Sequence, residues 1–162
     1  MIPHQWNSYF IIVASVLVAL VLSIYPLPLG MRWWRPEFVL LVAIYWMSVF
    51  PETISLLFLC VVGVFQDLLE AVPLGQHGLS LVIVAYICMQ SYQRVRNFAL
   101  WKEAGWVFVL VGVEQLSGNW VQGLAGQPLS GLIFLAPAIT SALVWPFFRM
   151  GLDRLSGHYR IN

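Results

Sequence analysis

The sequence predicts an all-α integral membrane protein, a bundle of six transmembrane helices, and three observations carry that prediction. Charged residues occupy only 9% of the 162 positions, hydrophobic residues occupy 60%, and the mean hydropathy is +0.83. A soluble domain normally carries about 25% charged residues because its outside faces water. Here nearly every charge falls in short gaps between six apolar blocks, so the outer surface must face lipid. Six helices of about 20 residues each consume most of the chain. Residues 1–162 therefore read as a single transmembrane domain with no room for a soluble catalytic unit.

The blocks run from Tyr9 to Tyr25, Phe38 to Phe50, Ile54 to Val72, Leu79 to Tyr92, Ala104 to Leu124 and Leu129 to Phe148. Pro26, Pro28, Gly30, Pro51, Pro73, Gly75, Gly78, Gly126 and Pro128 punctuate the gaps, as helix breakers should. Trp6, Trp33, Trp34, Trp101 and Trp145 fall near block ends, the depth at which amphipathic rings favour the headgroup layer. The first block follows MIPHQWNSYF, which lacks the Lys or Arg of a signal-peptide n-region. It ends in Tyr25-Pro-Leu-Pro-Leu-Gly and not in a small-residue cleavage site, so it reads as a retained first span. The second block is short: thirteen residues cover about 20 Å as helix, against roughly 30 Å of hydrocarbon. A full span and a re-entrant hairpin turning at Pro51 both fit it, and both leave the parity of the spans unchanged.

Basic residues set the orientation. Arg94, Arg96 and Lys102 lie between blocks four and five, and Arg149, Arg154 and Arg160 follow block six. The positive-inside rule makes that side cytoplasmic and places both termini there. Arg32 and Arg35 fall on the outer side and break the rule, but six basic residues outweigh two.

Ionisable residues at membrane depth are costly and mark candidate functional positions. Asp67 lies about 14 residues into block three, roughly 20 Å deep and towards the outer leaflet. Glu70 follows at i+3 and shares its helix face. Arg35, Glu37, Asp67 and Glu70 form an expected charge cluster that joins Arg35 to Asp67, with structural ion pairing as the leading reading and a partner contact or a substrate or proton role as its rivals. Glu114 lies near the middle of block five, and Gln115, Ser117, Asn119 and Gln122 continue a polar stripe from it. Gly105 and Gly112 in block five, and Ala136, Ala138, Ser141 and Ala142 in block six, would let another backbone approach. Gly105, Gly112, Glu114, Gln115, Asn119, Ala138 and Ala142 thus make a candidate surface for a partner helix. Interhelical bonding within the bundle is the competing use of the same stripe. Pro137 is expected to kink block six.

Catalytic chemistry has no signature here. No zinc-protease helix motif, CxxC, phosphate-binding loop or GxSxG occurs, and His4, His77 and His158 are scattered without ligand spacing. His77 reads as a loop histidine, and Ser80 and Ser141 have no neighbouring His to activate them. Cys60 and Cys88 lie inside apolar blocks and read as small buried hydrophobes. No catalytic residue, cofactor or metal is expected, and a net charge of +1 gives no case for nucleic acid.

From Arg35-Pro-Glu-Phe-Val-Leu-Leu-Val-Ala-Ile-Tyr-Trp46 onwards, the chain resembles the rod shape-determining protein MreD family. The resemblance continues through Gly63-Val-Phe-Gln-Asp67-Leu-Leu, Pro73-Leu-Gly75, Arg96-Asn-Phe-Ala-Leu-Trp101 and Trp145-Pro146. In order, spacing and span pattern it covers essentially the whole chain. It implies an inner-membrane, non-enzymatic component of the bacterial elongation machinery. The implied partners are the bitopic protein MreC, the actin-like MreB, RodA and a class B penicillin-binding transpeptidase, within membrane lipid. It also implies a fold like that of the six-helix substrate-binding subunits of ECF-type transporters. Such a fold permits a rival class, a small-molecule or lipid-precursor binding subunit. That class predicts a polar cavity towards the outer leaflet lined by Arg35, Asp67 and Glu70.

Overall fold

Each apolar block is helical, because a chain surrounded by lipid must satisfy its backbone hydrogen bonds within the segment. The computed structural model describes residues 3–26, 28, 32–95, 97–127 and 131–160. Its helices are α1 (Pro3–Ile24), α2 (Phe38–Val49), α3 (Leu56–Glu70), α4 (Gln76–Val95), α5 (Leu100–Leu124) and α6 (Ala136–Arg160). Short 3-10 turns, Arg32–Trp34 and Leu132–Leu135, precede α2 and α6. Gly30, Arg96, Pro128 and Leu129 lie outside the described residues, as do the side chains of His4, Trp6, Arg32, Tyr92, His158 and Arg160.

The shortest helix holds the centre. α2 is apolar all round, and every residue from Val39 to Met47 is buried. It packs on α1, α4, α5 and α6. A helix wrapped by protein has no need to match its length to the bilayer, which accounts for its twelve residues. Polar hooks fix its rotation: Trp46 Nε1 donates to Ser15 Oγ at 2.8 Å, and the Tyr45 hydroxyl donates to Asp153 Oδ1 at 2.8 Å.

α3 and α4 form an antiparallel pair drawn together by glycine. A Cβ built on Gly63 would come 2.5 Å from Gly78 Cα, so the two backbones touch where they cross. Ser55 caps α3 by accepting the Phe58 amide at 3.1 Å. At the other end Ala71 adopts the left-handed conformation, φ 54°, and its amide bonds back to the Asp67 carbonyl. Pro73 follows, and Gly75 at φ 95° completes the reversal into α4.

The apolar outside agrees with the composition. Phe10, Leu17, Val18 and Val21 of α1, Leu57 and Leu68 of α3, and Leu143 and Phe147 of α6 are all exposed. Phe10 and Phe147 show about three quarters of their surface. So much bare apolar area is foreign to a water-soluble monomer and suits lipid. The stretch Leu132–Ser156 is long and apolar enough to cross a membrane alone, and Tyr9–Ile24 and Phe38–Val49 are shorter apolar helices.

Three expectations change. Helix α6 runs on to Arg160, twelve residues beyond the expected end at Phe148, because its C-terminal part is amphipathic and buries Leu152. Pro137 is the second residue of α6, a position where a missing N–H costs nothing, so it starts the helix; Pro146 is the interior proline. Trp145 does not turn its ring outward to lipid. It is buried, with its indole N–H on Glu103 Oε2 at 3.3 Å.

Candidate functional site

The tight α3–α4 turn places Asp67 under the first turn of α4. Its Oδ2 accepts the Gly75 amide at 2.7 Å, and its Oδ1 accepts the His77 amide at 2.8 Å. The same Oδ1 lies 2.9 Å from His77 Nδ1. Asp67 is wholly inaccessible, and its carboxylate meets three donors. The expected pairing of Asp67 with Arg35 does not occur. Asp67 is already saturated by the turn, and Arg35 Nη2 instead meets Glu70 Oε1 at 3.6 Å. Gln66 Nε2 donates to the same Glu70 oxygen at 3.0 Å.

His77 is no loop residue. It stands in the first turn of α4, buried, and is the centre of the charged group. Since Nδ1 is taken by Asp67, Nε2 points away from it, 3.8 Å from Glu114 Oε1 and 4.0 Å from Glu70 Oε2. Glu37 arrives from the start of α2. Its backbone N–H donates to Ser141 Oγ of α6 at 3.0 Å, which anchors the Arg35-Pro-Glu37 entry against the small-residue face of that helix. Gln115 Nε2 then bridges the acids, donating to Glu37 Oε1 at 2.8 Å and Glu114 Oε2 at 3.0 Å. One ligand atom each from Glu37, His77 and Glu114 lies within 4.8 Å of the other two.

These groups line a cavity of about 780 Å³ at the end of the bundle where α1, α3 and α5 finish and α2, α4 and α6 begin. Arg35, Glu37, Glu70, His77, Glu114 and Asn119 face it, and Trp33, Leu69 and Phe134 supply apolar wall. Asp67 lies behind His77 and does not line it, contrary to the expected lining. Within the wall Gln122 donates to Gln76 Oε1 at 3.1 Å, and Ser117 donates to Ser80 at 2.8 Å. Asn119 Oδ1 is buried without a hydrogen-bond partner among the described residues. A cavity of this size, with a few polar groups converging on one wall, has the form of a small-molecule or ion site.

The candidate partner surface divides. Glu114, Gln115 and Asn119 turn inward to the cavity, and Ala138 is fully buried in the core. They are therefore not on an outer face: the stripe and the small residues serve packing inside the bundle. Ala142 is half-buried. Gly105 and Gly112 have open space where a Cβ would stand and remain on the outside of α5.

A second polar network closes the opposite end and was not legible in the sequence. Glu103 of α5, buried, pairs with Arg149 of α6, whose Nε also lies 3.6 Å from Asp153. Through Tyr45 this network reaches α2. Glu103 and Arg149 each sit beside an apolar block, where either reads as a solvated end.

The profile of the family described as rod shape-determining protein MreD matches residues 5–154. That span contains every helix core and every cavity residue named above. The chain belongs to the MreD family. Among curated proteins it is similar to the rod shape-determining protein MreD of Haemophilus influenzae, with 29% identity over 143 residues, 88% of this chain and 86% of that one. No solved structure matches. As an MreD-family member the chain is a rod-shape-determining membrane protein, as the resemblance of its segments implied. Two of those family-like segments now have structural reasons. Gly63 and Asp67 make the α3–α4 crossing and pin its turn, and Arg35-Pro-Glu37 carries two charges into the cavity.

Proposed function

We propose that this protein is a non-enzymatic component of the bacterial elongation machinery, spanning the inner membrane six times with both termini cytoplasmic. In this reading it docks the transmembrane helix of an MreC-like bitopic protein. It thereby couples MreB to lateral peptidoglycan synthesis by RodA and a class B penicillin-binding transpeptidase. The family match along nearly the whole chain carries the reading. The exposed apolar helix faces, which suit lipid and a partner helix alike, support it. Docking uses the outside of α5 at Gly105 and Gly112, where nothing within the bundle occupies the space beside the backbone. Close approach of backbones is what drives helix pairing in lipid, where hydrophobic burial offers little.

The test is replacement of the native protein in rod-shaped cells and capture of the tagged chain. The unmodified chain restores rod shape and copurifies an MreC-like protein. Gly112→Leu keeps the chain in the membrane but reduces that copurification. Round cells with the unmodified chain in place would overturn the reading.

The cavity favours a second reading, binding of a small molecule or lipid precursor by a bundle like the substrate-binding subunits of ECF-type transporters. It supplies what that reading requires, a polar space lined by Arg35 and Glu70. Binding and docking are compatible in one molecule.

A further inference from the structure

Among the described residues, the carboxylates at the cavity wall around Glu37, His77 and Glu114 outnumber the arginine that faces them. Glu70 and Glu114 approach His77 Nε2, Glu37 offers a ligand atom within 4.8 Å of those of His77 and Glu114, and Arg35 is the cation among the described side chains that faces them. Arg35 is engaged with Glu70. Gln115 offers Glu37 and Glu114 amide hydrogens but no charge. His77 is only 6% exposed, and its Nε2 has no hydrogen-bond partner among the described residues. It is aimed at carboxylate oxygens. The other ring nitrogen is fixed on Asp67, which two backbone amides hold in place. A histidine whose far nitrogen is bound to an anchored carboxylate, leaving the near nitrogen among acidic oxygens, has the arrangement of a metal ligand with its outer-shell support.

We propose that Glu37, His77 and Glu114 form a binding site for a divalent transition-metal cation of the zinc or manganese class, with Asp67 as the positioning residue behind His77. Imidazole and carboxylate together suit such ions. Ligand atoms about 2.0–2.2 Å from zinc stand roughly 3.4 Å from one another in a tetrahedron. The 3.8 Å between His77 Nε2 and Glu114 Oε1 is already near that value, and rotation of the two glutamate side chains closes the set. Three protein ligands leave the remaining positions open to the cavity, where a bound molecule or water completes the shell. The site draws α2, α4 and α5 together at one end, so occupancy ties the cavity's shape to the central helix. It is independent of the partner reading above.

The full chain, purified in detergent and stripped with a chelator, is titrated with Zn²⁺ and with Mn²⁺. Bound metal per chain is measured after desalting, and thermal midpoints are recorded with and without metal. One ion per chain and a raised midpoint are expected for one of the two metals. Glu37→Gln and Glu114→Gln, which keep size and one oxygen to accept from Gln115, abolish both effects while helix content stays unchanged. Asp67→Asn retains the stoichiometry but weakens affinity about 10–100-fold. Absence of specific binding by the unmodified chain, or equal binding by the two glutamine variants, overturns the proposal. Because the readout is metal on the purified protein, it is separate from cell shape or copurification.

Discussion

At the scale of single residues, Asp67 is tightly constrained, buried and bound through both oxygens. Both of its oxygens accept, and all three donors are backbone or imidazole N–H groups. An asparagine can satisfy only one side, since its NH₂ would face another N–H. Asp67→Asn should therefore cost about 1–3 kcal/mol, the penalty of a buried donor left without a partner. Its thermal midpoint in detergent checks this. The partner of Asp67 is testable by a double-mutant cycle. Asp67→Ala and His77→Ala should be non-additive by about 0.5–3 kcal/mol, whereas Asp67→Ala and Arg35→Ala should add. The carboxylates were legible in the sequence because i, i+3 spacing puts Asp67 and Glu70 on one helix face. The histidine was not, because His77 sits just past a Pro-containing turn and reads as loop. A clue did exist: an Asp ten residues before a His, across Pro73-Leu74-Gly75, allows a carboxylate to close the turn and orient the imidazole.

At the scale of elements, glycine position decides which faces are internal. Gly63 and Gly78 bring α3 and α4 into backbone contact, whereas Gly105 and Gly112 face open space. Composition cannot separate the two cases, because small residues suit a packed crossing and an open face equally. Replacing Gly63 by Ala should force the helices apart and cost about 1–3 kcal/mol, as overpacking does. Gly112→Ala should change the thermal midpoint little. Helix α2 makes the complementary point. Its shortness was visible in the sequence, but the reason lies in its surroundings, where other helices take the place of lipid. Trp46→Ala, which empties the largest buried side chain and frees Ser15, should cost about 3–5 kcal/mol. If midpoints for Trp46→Ala and Gly112→Ala are alike, α2 is not the core.

At the scale of the whole molecule, helix content and element order were legible from the alternation of apolar blocks and breakers. Every block became a helix, with α2 and α5 ending within one residue of expectation. Convergence was legible only in part: Arg35, Glu37 and Glu70 were expected to cluster, whereas the joining of His77 and Glu114 to them was not. Arg35, Glu37, Glu70, His77 and Glu114 come from four separate segments, and only the three-dimensional arrangement gathers all five at one end. The basic residues Arg94, Lys102, Arg149 and Arg154 gather at the other. In the proposed topology the cavity end of the bundle lies on the outer side of the membrane. Cysteine labelling from outside intact cells tests it most directly. Gln76 is buried in the cavity wall, so the reporter in that turn is Leu74, which is exposed; Asn97 and Arg154 are exposed at the opposite end. A membrane-impermeant thiol reagent should label Leu74→Cys, and should reach Asn97→Cys and Arg154→Cys only after the cells are opened. External labelling of Asn97→Cys or Arg154→Cys with Leu74→Cys protected would contradict the account.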